Sequence, residues 1–406
     1  MPYLISKQFL GKSGSPSKSQ SKMEYDVRDH RGKIKTRPIP KPRKFSPYTV
    51  AQREAGRAYD QILGTLYGVV TGDAIGHLTE SLSKAQAHKV YGSVCKELEL
   101  GHKKLLNDTT RRKWQLCDWT DEADMMLLIT ESLIYNRGQV STTDLAKRLM
   151  DWSERGYPEL GDTAGYGLDK YTKAVIAHPQ FSEAPKDAAN ICWRNGPKQA
   201  GASNSAVSRT AILGIHYYNA HAKVLQNTTE VCMITHPDPR CAASCVAVTT
   251  AISLMLQQKH VKKSGQLDVE EVISESYRYA SGCLLGRPVE ELKSLKRHML
   301  ARSLKELELG DVGNMSFTYK AVGAGFWALK QKNFRTAIQD IVMEGGDADG
   351  NGAVAGALLG CKLGFPAVPP SWVEGLRHRG WLDELVNRYL HMMEQGRATA
   401  KAESTV

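Results

Sequence analysis

Glu344-Gly345-Gly346-Asp347-Ala348-Asp349-Gly350-Asn351-Gly352 sets two carboxylates two residues apart on a glycine-rich turn, followed by a small, apolar run from Ala353 to Gly360. An Asp-x-Asp turn offers several hard oxygen ligands from one short segment, which suits Mg²⁺, Mn²⁺ or Ca²⁺ better than Zn²⁺. The run that follows has no polar face before Lys362 and is expected to form a buried helix. Acids in the first turn of a buried helix need a partner or a cation. The same acids also suit plain helix capping, and this motif alone does not choose between the two readings.

A second acidic cluster precedes another apolar run, in Trp119-Thr120-Asp121-Glu122-Ala123-Asp124-Met125-Met126-Leu127. Thr120 is placed to cap a helix whose first turn holds Asp121, Glu122 and Asp124. Two such helix starts, brought together, would supply roughly four or five oxygen ligands for one or two hard cations. A third stretch, Gly68-Val69-Val70-Thr71-Gly72-Asp73-Ala74-Ile75-Gly76-His77-Leu78-Thr79-Glu80, reads as a helix running into a glycine-punctuated loop that carries Glu80 toward a polar centre. It lacks the Gly-Lys-Ser/Thr of a P-loop and the preceding strand of a dinucleotide fingerprint. Two further polar glycine loops, 156–171 and 195–209, could cradle a diphosphate with backbone N–H groups or simply join helices. His236, in Thr235-His236-Pro237-Asp238-Pro239-Arg240, precedes a helix and fits a structural or a catalytic role equally.

Helices must position these groups. Helical periodicity runs through 52–70, 143–153, 205–218, 240–257, 269–282 and 288–300, while period-two runs of β-branched residues are scarce. The expectation is an all-α fold: a domain over 51–395, with disordered tails at 1–50 and 396–406. The chain has 406 residues, 41% hydrophobic and 24% charged, enough for a full core. Its net charge of +11 lies mostly in residues 1–50, where twelve Lys and Arg face three acids, a net +9 that leaves +2 for the rest. That tail, rich in Ser, Gly and Pro, could bind nucleic acid, serve as a nuclear address or act as a linker. It lacks the interleaved aromatic residues of a base-stacking segment, which favours targeting or linkage. The eight cysteines show no zinc spacing, and Cys241 and Cys245 read as buried small hydrophobes. No signal peptide is read at Met1 to Leu10, and 246–256 and 352–361 are too short to span a bilayer. A reduced intracellular protein, cytoplasmic or nuclear, with no membrane partner is expected.

In this order, Gly-Asp-Ala-Ile-Gly followed by Glu80, Trp-Thr-Asp-Glu at 119–122, Asn204 to Arg209, Thr-His-x-Asp-x-Arg at 235–240 and Gly-Gly-Asp-x-Asp-x-Asn-Gly at 345–352 resemble the ADP-ribosylglycohydrolase family. The resemblance covers about 58–395. It implies a single orthogonal helical bundle with a two-metal Mg²⁺/Mn²⁺ centre below an ADP-ribose cleft, and hydrolysis of the C1″ bond to an acceptor side chain. An ADP-ribosylated protein or small molecule would be the substrate. Carried over, Thr120, Asp121, Glu122, Asp347 and Asp349 are the metal ligands, and Glu80 and Asp349 the catalytic acids. Gly72, Asp73, Gly76, Gly201, Asn204, Ser205, Arg209 and His236 fall on substrate-binding positions.

The chain departs from the family pattern on these same loops. The family reads Thr-Asp-Asp-Thr against Thr120-Asp121-Glu122-Ala123, Asp-x-Asp-Thr/Ser against Asp347-Ala348-Asp349-Gly350, and Asn-Gly-Ala-x-Met-Arg against Asn204-Ser205-Ala206-Val207-Ser208-Arg209. Glu for Asp moves a ligating oxygen on the order of 1–1.5 Å, and Gly350 removes a hydroxyl. The departures leave room for a single metal, and for a pseudoenzyme that binds ADP-ribose without turnover.

Overall fold

The computed structural model describes residues 24–28, 34–38, 56–95, 97–101, 106–196, 202–311 and 313–403. Contacts divide the chain into two units, Met1–Thr49 and Val50–Val406. In the first, β1 (Glu24–Arg28) pairs antiparallel with β2 (Ile34–Pro38), Tyr25 opposite Arg37 and Val27 opposite Lys35. Tyr25, Val27, Ile34 and Thr36 take alternate positions in these strands. The rest of the expected tail lies outside the described residues.

The second unit is all-α. Its described helices are α1 (Arg57–Gly76), α2 (Lys84–Tyr91), α3 (Asp121–Tyr135), α4 (Thr142–Arg155), α5 (Lys170–Ile176), α6 (Pro185–Asn195), α7 (Ser205–Arg209), α8 (Ala211–Ile215), α9 (His221–Cys232), α10 (Pro239–Leu256), α11 (Val269–Gly282), α12 (Val289–Met299), α13 (Thr318–Leu329), α14 (Phe334–Val342), α15 (Ala348–Leu363), α16 (Pro370–Gly375) and α17 (Arg379–Glu403). Helix α17 continues past the boundary expected at 395, through an Ala-rich stretch of good helix formers. The helix expected over 205–218 breaks at Thr210, whose hydroxyl donates to Val207 O at 3.3 Å and competes with the helical ladder.

Helices α1 and α15 form the centre of the bundle. The glycines of α1 recur every four residues, so Gly64, Gly68 and Gly72 make one stripe facing Gly360, Gly356 and Gly352 of α15. A Cβ on Gly68 would stand 2.2 Å from Gly356 O, and one on Gly72 2.1 Å from Gly352 O. Without side chains between them the two backbones touch, and the entropic penalty of glycine is offset by close packing. The glycines expected to open a loop after residue 68 therefore continue a helix to Gly76. Helix α10 also lies in the interior. Its Asp238 carboxylate caps the Arg240 N–H at 2.9 Å and Pro239 fills the first turn, where no donor is needed. At 18 residues and mean hydropathy 1.4 it is long and apolar enough to cross a bilayer, longer than the run judged from sequence, yet most of it is buried against other helices.

Candidate active site

The antiparallel approach of α1 and α15 sets the end of α1 beside the start of α15, and α3 begins at the same place. Asp73, fully buried on α1, caps α3: its carboxylate accepts from Thr120 N at 3.0 Å, Thr120 Oγ1 at 2.6 Å and Ala123 N at 2.8 Å. Thr120 makes no side-chain cap of its own. Glu80, in the turn after α1, caps α15: Oε2 accepts from Ala348 N at 2.6 Å and Oε1 from Ser81 Oγ at 2.9 Å. One stretch of chain thus supplies the caps for both acidic helix starts.

The two acidic clusters meet there. Glu80, Asp347 and Asp349 each present a ligand atom within 4.8 Å of the others. Thr120 Oγ1 lies 3.3 Å from Asp349 Oδ2. Glu122 Oε2 accepts from Ser208 Oγ, and Asp347 Oδ1 accepts from Asn204 Nδ2 at 2.8 Å. Asp121, Glu122, Asp347 and Asp349 are buried, each 6–8% exposed. Burial, followed by the neighbouring carboxylates, raises Glu80, Asp121 and Glu122 well above the ordinary range. Burial and Asp347 push Asp349 up to about 6. Among the described residues no Lys, Arg or His forms an ion pair with any of these five acids. An all-oxygen donor set, converged and without a cationic partner, fits a hard divalent ion.

A cleft of about 760 Å³ opens beside this centre, lined among others by Asp169, Tyr171, Ser203, Arg240, Ser316 and Phe317. Its floor is tied to the acids. Asn204 N donates to Ser316 O at 2.9 Å and Thr318 N to Ala202 O at 3.0 Å, so the residue that holds Asp347 is itself fixed to the cleft wall. Asp169 caps α5 through Tyr171 N and Thr172 N and also accepts from Ser205 Oγ at 3.1 Å. The Arg240 guanidinium lies 6.0 Å from the Phe317 ring centroid.

Not every residue expected here faces the cleft. Gly72 and Gly76 are in the helix contact, where a Cβ on Gly76 would meet Ala348 O at 2.3 Å. Asp73 is consumed as a cap. Arg209 is wholly interior, donating to Thr235 Oγ1 at 2.6 Å and reaching Met125 Sδ at 3.6 Å. His236 is buried with Nδ1 2.7 Å from Thr235 Oγ1 and its ring against Tyr171, and burial lowers it to about 4. These five positions support the site from within, because helix packing leaves them no open face. Gly201 lies outside the described residues. Asn204 and Ser205 do reach the site, as holders of carboxylates. Sequence reasoning assigned no site role to Asp169, Ser203, Ser208, Arg240, Ser316 or Phe317, although Asp169 and Ser203 fall in the two polar glycine loops and Ser208 and Arg240 in the family motifs; Ser316 and Phe317 left no readable signal.

Comparison with known proteins agrees with this fold. The ADP-ribosylglycohydrolase family profile matches residues 54–399, and the chain belongs to that family of hydrolases. It is 22% identical to the ADP-ribosylarginine hydrolase Tri1 of Serratia proteamaculans over 82% of this chain and 80% of that one. It is 21% identical to the ADP-ribosyl-[dinitrogen reductase] glycohydrolase of Rhodospirillum rubrum, over 78% of this chain and 90% of that one. A solved ADP-ribosylglycohydrolase-related protein complex shares the fold, with TM-score 0.59 and 21% identity over 83% of this chain and 99% of that chain.

Proposed function

We propose that this hydrolase cleaves the C1″ bond between ADP-ribose and an acceptor side chain, using Mg²⁺ or Mn²⁺ held by Thr120, Asp121, Glu122, Asp347 and Asp349. The observation that carries this reading is the convergence of Glu80, Asp347 and Asp349 within 4.8 Å beside the 760 Å³ cleft. A bound divalent ion supplies charge that orients ribose hydroxyls and makes a coordinated water more acidic. The chain's own groups do the rest. Glu80, fixed by the Ala348 N–H and Ser81 hydroxyl, is placed to move a proton at the anomeric centre. Asn204 orients Asp347, and the cleft residues Phe317 and Arg240 offer a stacking face and a cation to a nucleoside diphosphate. Two relatives carry names specifying arginine-linked ADP-ribose or ADP-ribosylated dinitrogen reductase, so an ADP-ribosylated protein with an arginine acceptor is the first substrate to try.

The test is release of free ADP-ribose from arginine- and serine-linked ADP-ribosyl peptides with Mg²⁺, Mn²⁺ or EDTA, alongside calorimetric titration of ADP-ribose. Metal-dependent release, lost in Asp347→Ala and Asp349→Ala, is the expected result. ADP-ribose binding without release from either peptide would support the pseudoenzyme reading, which the departures at Glu122 and Gly350 motivate. Absence of both binding and release would overturn the assignment to ADP-ribose.

A further inference from the structure

The geometry points to Ser208 and Gly350 as positioning residues for Glu122, so that three departures from the family's motif pattern form one compensated ligand position. This inference rests on reading the acidic centre as a divalent-cation site. The three residues belong to different helices, α3, α7 and α15. In the structure they meet. Ser208 Oγ donates to Glu122 Oε2. The other oxygen, Oε1, faces position 350, where an added Cβ would stand 3.4 Å from it. That Cβ would also stand 2.5 Å from Asp347 Oδ1 and 2.7 Å from Asn204 Nδ2, the two ends of the hydrogen bond that holds Asp347.

Each departure is unfavourable alone and fits with the others present. The extra methylene of Glu122 carries its carboxylate forward on the order of 1–1.5 Å relative to Asp. A Thr or Ser at 350 would obstruct that carboxylate and press on the Asn204–Asp347 pair, and glycine removes the obstruction. A Met at 208 would leave the far oxygen of Glu122 without a donor, whereas serine supplies an O–H. Ser208 Oγ also lies 3.2 Å from Asn204 O. One turn, Asn204 to Ser208, therefore holds a carboxylate from each acidic cluster: Asp347 through an amide, Glu122 through a hydroxyl. Glu122 Oε1 stays directed toward position 350, beside the Asn204–Asp347 hydrogen bond.

Mn²⁺ titration of the full chain without substrate, followed by electron paramagnetic resonance, tests this. Ser208→Ala is expected to weaken Mn²⁺ binding about 10–100-fold, and Ser208→Thr, which keeps the hydroxyl, to bind like the parent. Glu122→Asp and Gly350→Thr should each weaken binding, while the triple variant E122D/S208M/G350T returns close to the parent affinity. Melting in EDTA checks that each variant is folded. Should the triple variant not fold, the Ser208→Ala and Ser208→Thr pair decides. Unchanged binding in Ser208→Ala, or losses that simply add in the triple variant, would overturn the inference while leaving the cation site standing. No Mn²⁺ binding by the parent chain would overturn both.

Discussion

Asp73 on α1 accepts hydrogen bonds from Thr120 N, Thr120 Oγ1 and Ala123 N, so the start of the acidic helix α3 is capped from a different helix. Three buried donors depend on one carboxylate. Asp73→Ala should therefore lower stability by about 1–3 kcal/mol, read as a shifted urea midpoint in saturating Mg²⁺. An unchanged midpoint would mean the cap is dispensable.

Gly68 and Gly282 predict opposite signs for the same substitution. Helix propensity alone favours alanine over glycine by about 1 kcal/mol. At Gly282 nothing lies within 4 Å of the added Cβ, so Gly282→Ala should be neutral to stabilising. At Gly68 the Cβ meets the backbone oxygen of Gly356 at 2.2 Å, which no rotamer change relieves. Overpacking costs about 1–3 kcal/mol or more, so Gly68→Ala should be destabilising. Thermal melts of the two variants check the sign.

Asp349 couples metal response to apo stability. In EDTA its carboxylate is buried among like charges, so Asp349→Asn should melt higher than the parent chain. On adding Mg²⁺ or Mn²⁺ the parent should gain several degrees, and the variant little or nothing. Equal melting shifts in both proteins would remove Asp349 from the ligand set.

His77 should contribute to acid sensitivity. Both ring nitrogens are buried without partners, and burial followed by Arg111 lowers its pKa to about 3. The unfolded chain then binds the extra proton first, below about 6.5. The stability associated with neutral His77 is complete above that pH and is lost as pH falls toward about 3, with a slope of at most about 1.4 kcal/mol per pH unit. Denaturation of His77→Leu at pH 7 and pH 5 should show a smaller acid loss than the parent. Parallel profiles would exclude the histidine as the cause.

Phe317, half-buried in the cleft wall, gives the cleft an aromatic face next to Arg240. Stacking of a base on such a ring contributes about 1–3 kcal/mol, so Phe317→Ala should raise the Kd for ADP-ribose about tenfold or more, with Phe317→Trp tolerated. Calorimetry at fixed Mg²⁺ separates the two variants. Equal affinities would move the base elsewhere in the cleft.

The sequence alone determined the helical class, the family and the two acidic helix starts. Apolar periodicity is a local property, and Thr120 to Glu122 and Asp347 to Asp349 are contiguous in the chain. It also showed that Glu122, Ser208 and Gly350 depart from the family pattern, although not that they meet. Tertiary structure decided the rest. A glycine suits a phosphate loop or a helix contact equally, and only the α15 backbone opposite shows that Gly72 and Gly76 belong to packing. Asp73 could have faced a ligand, yet the donors that claim it lie 47 and 50 residues away in sequence. Arg209 and His236 carry the polar chemistry of binding residues, but the helices around them close over both side chains. Hydrogen-bond partners and burial are set by distance in space, which a residue's type and its near neighbours do not encode.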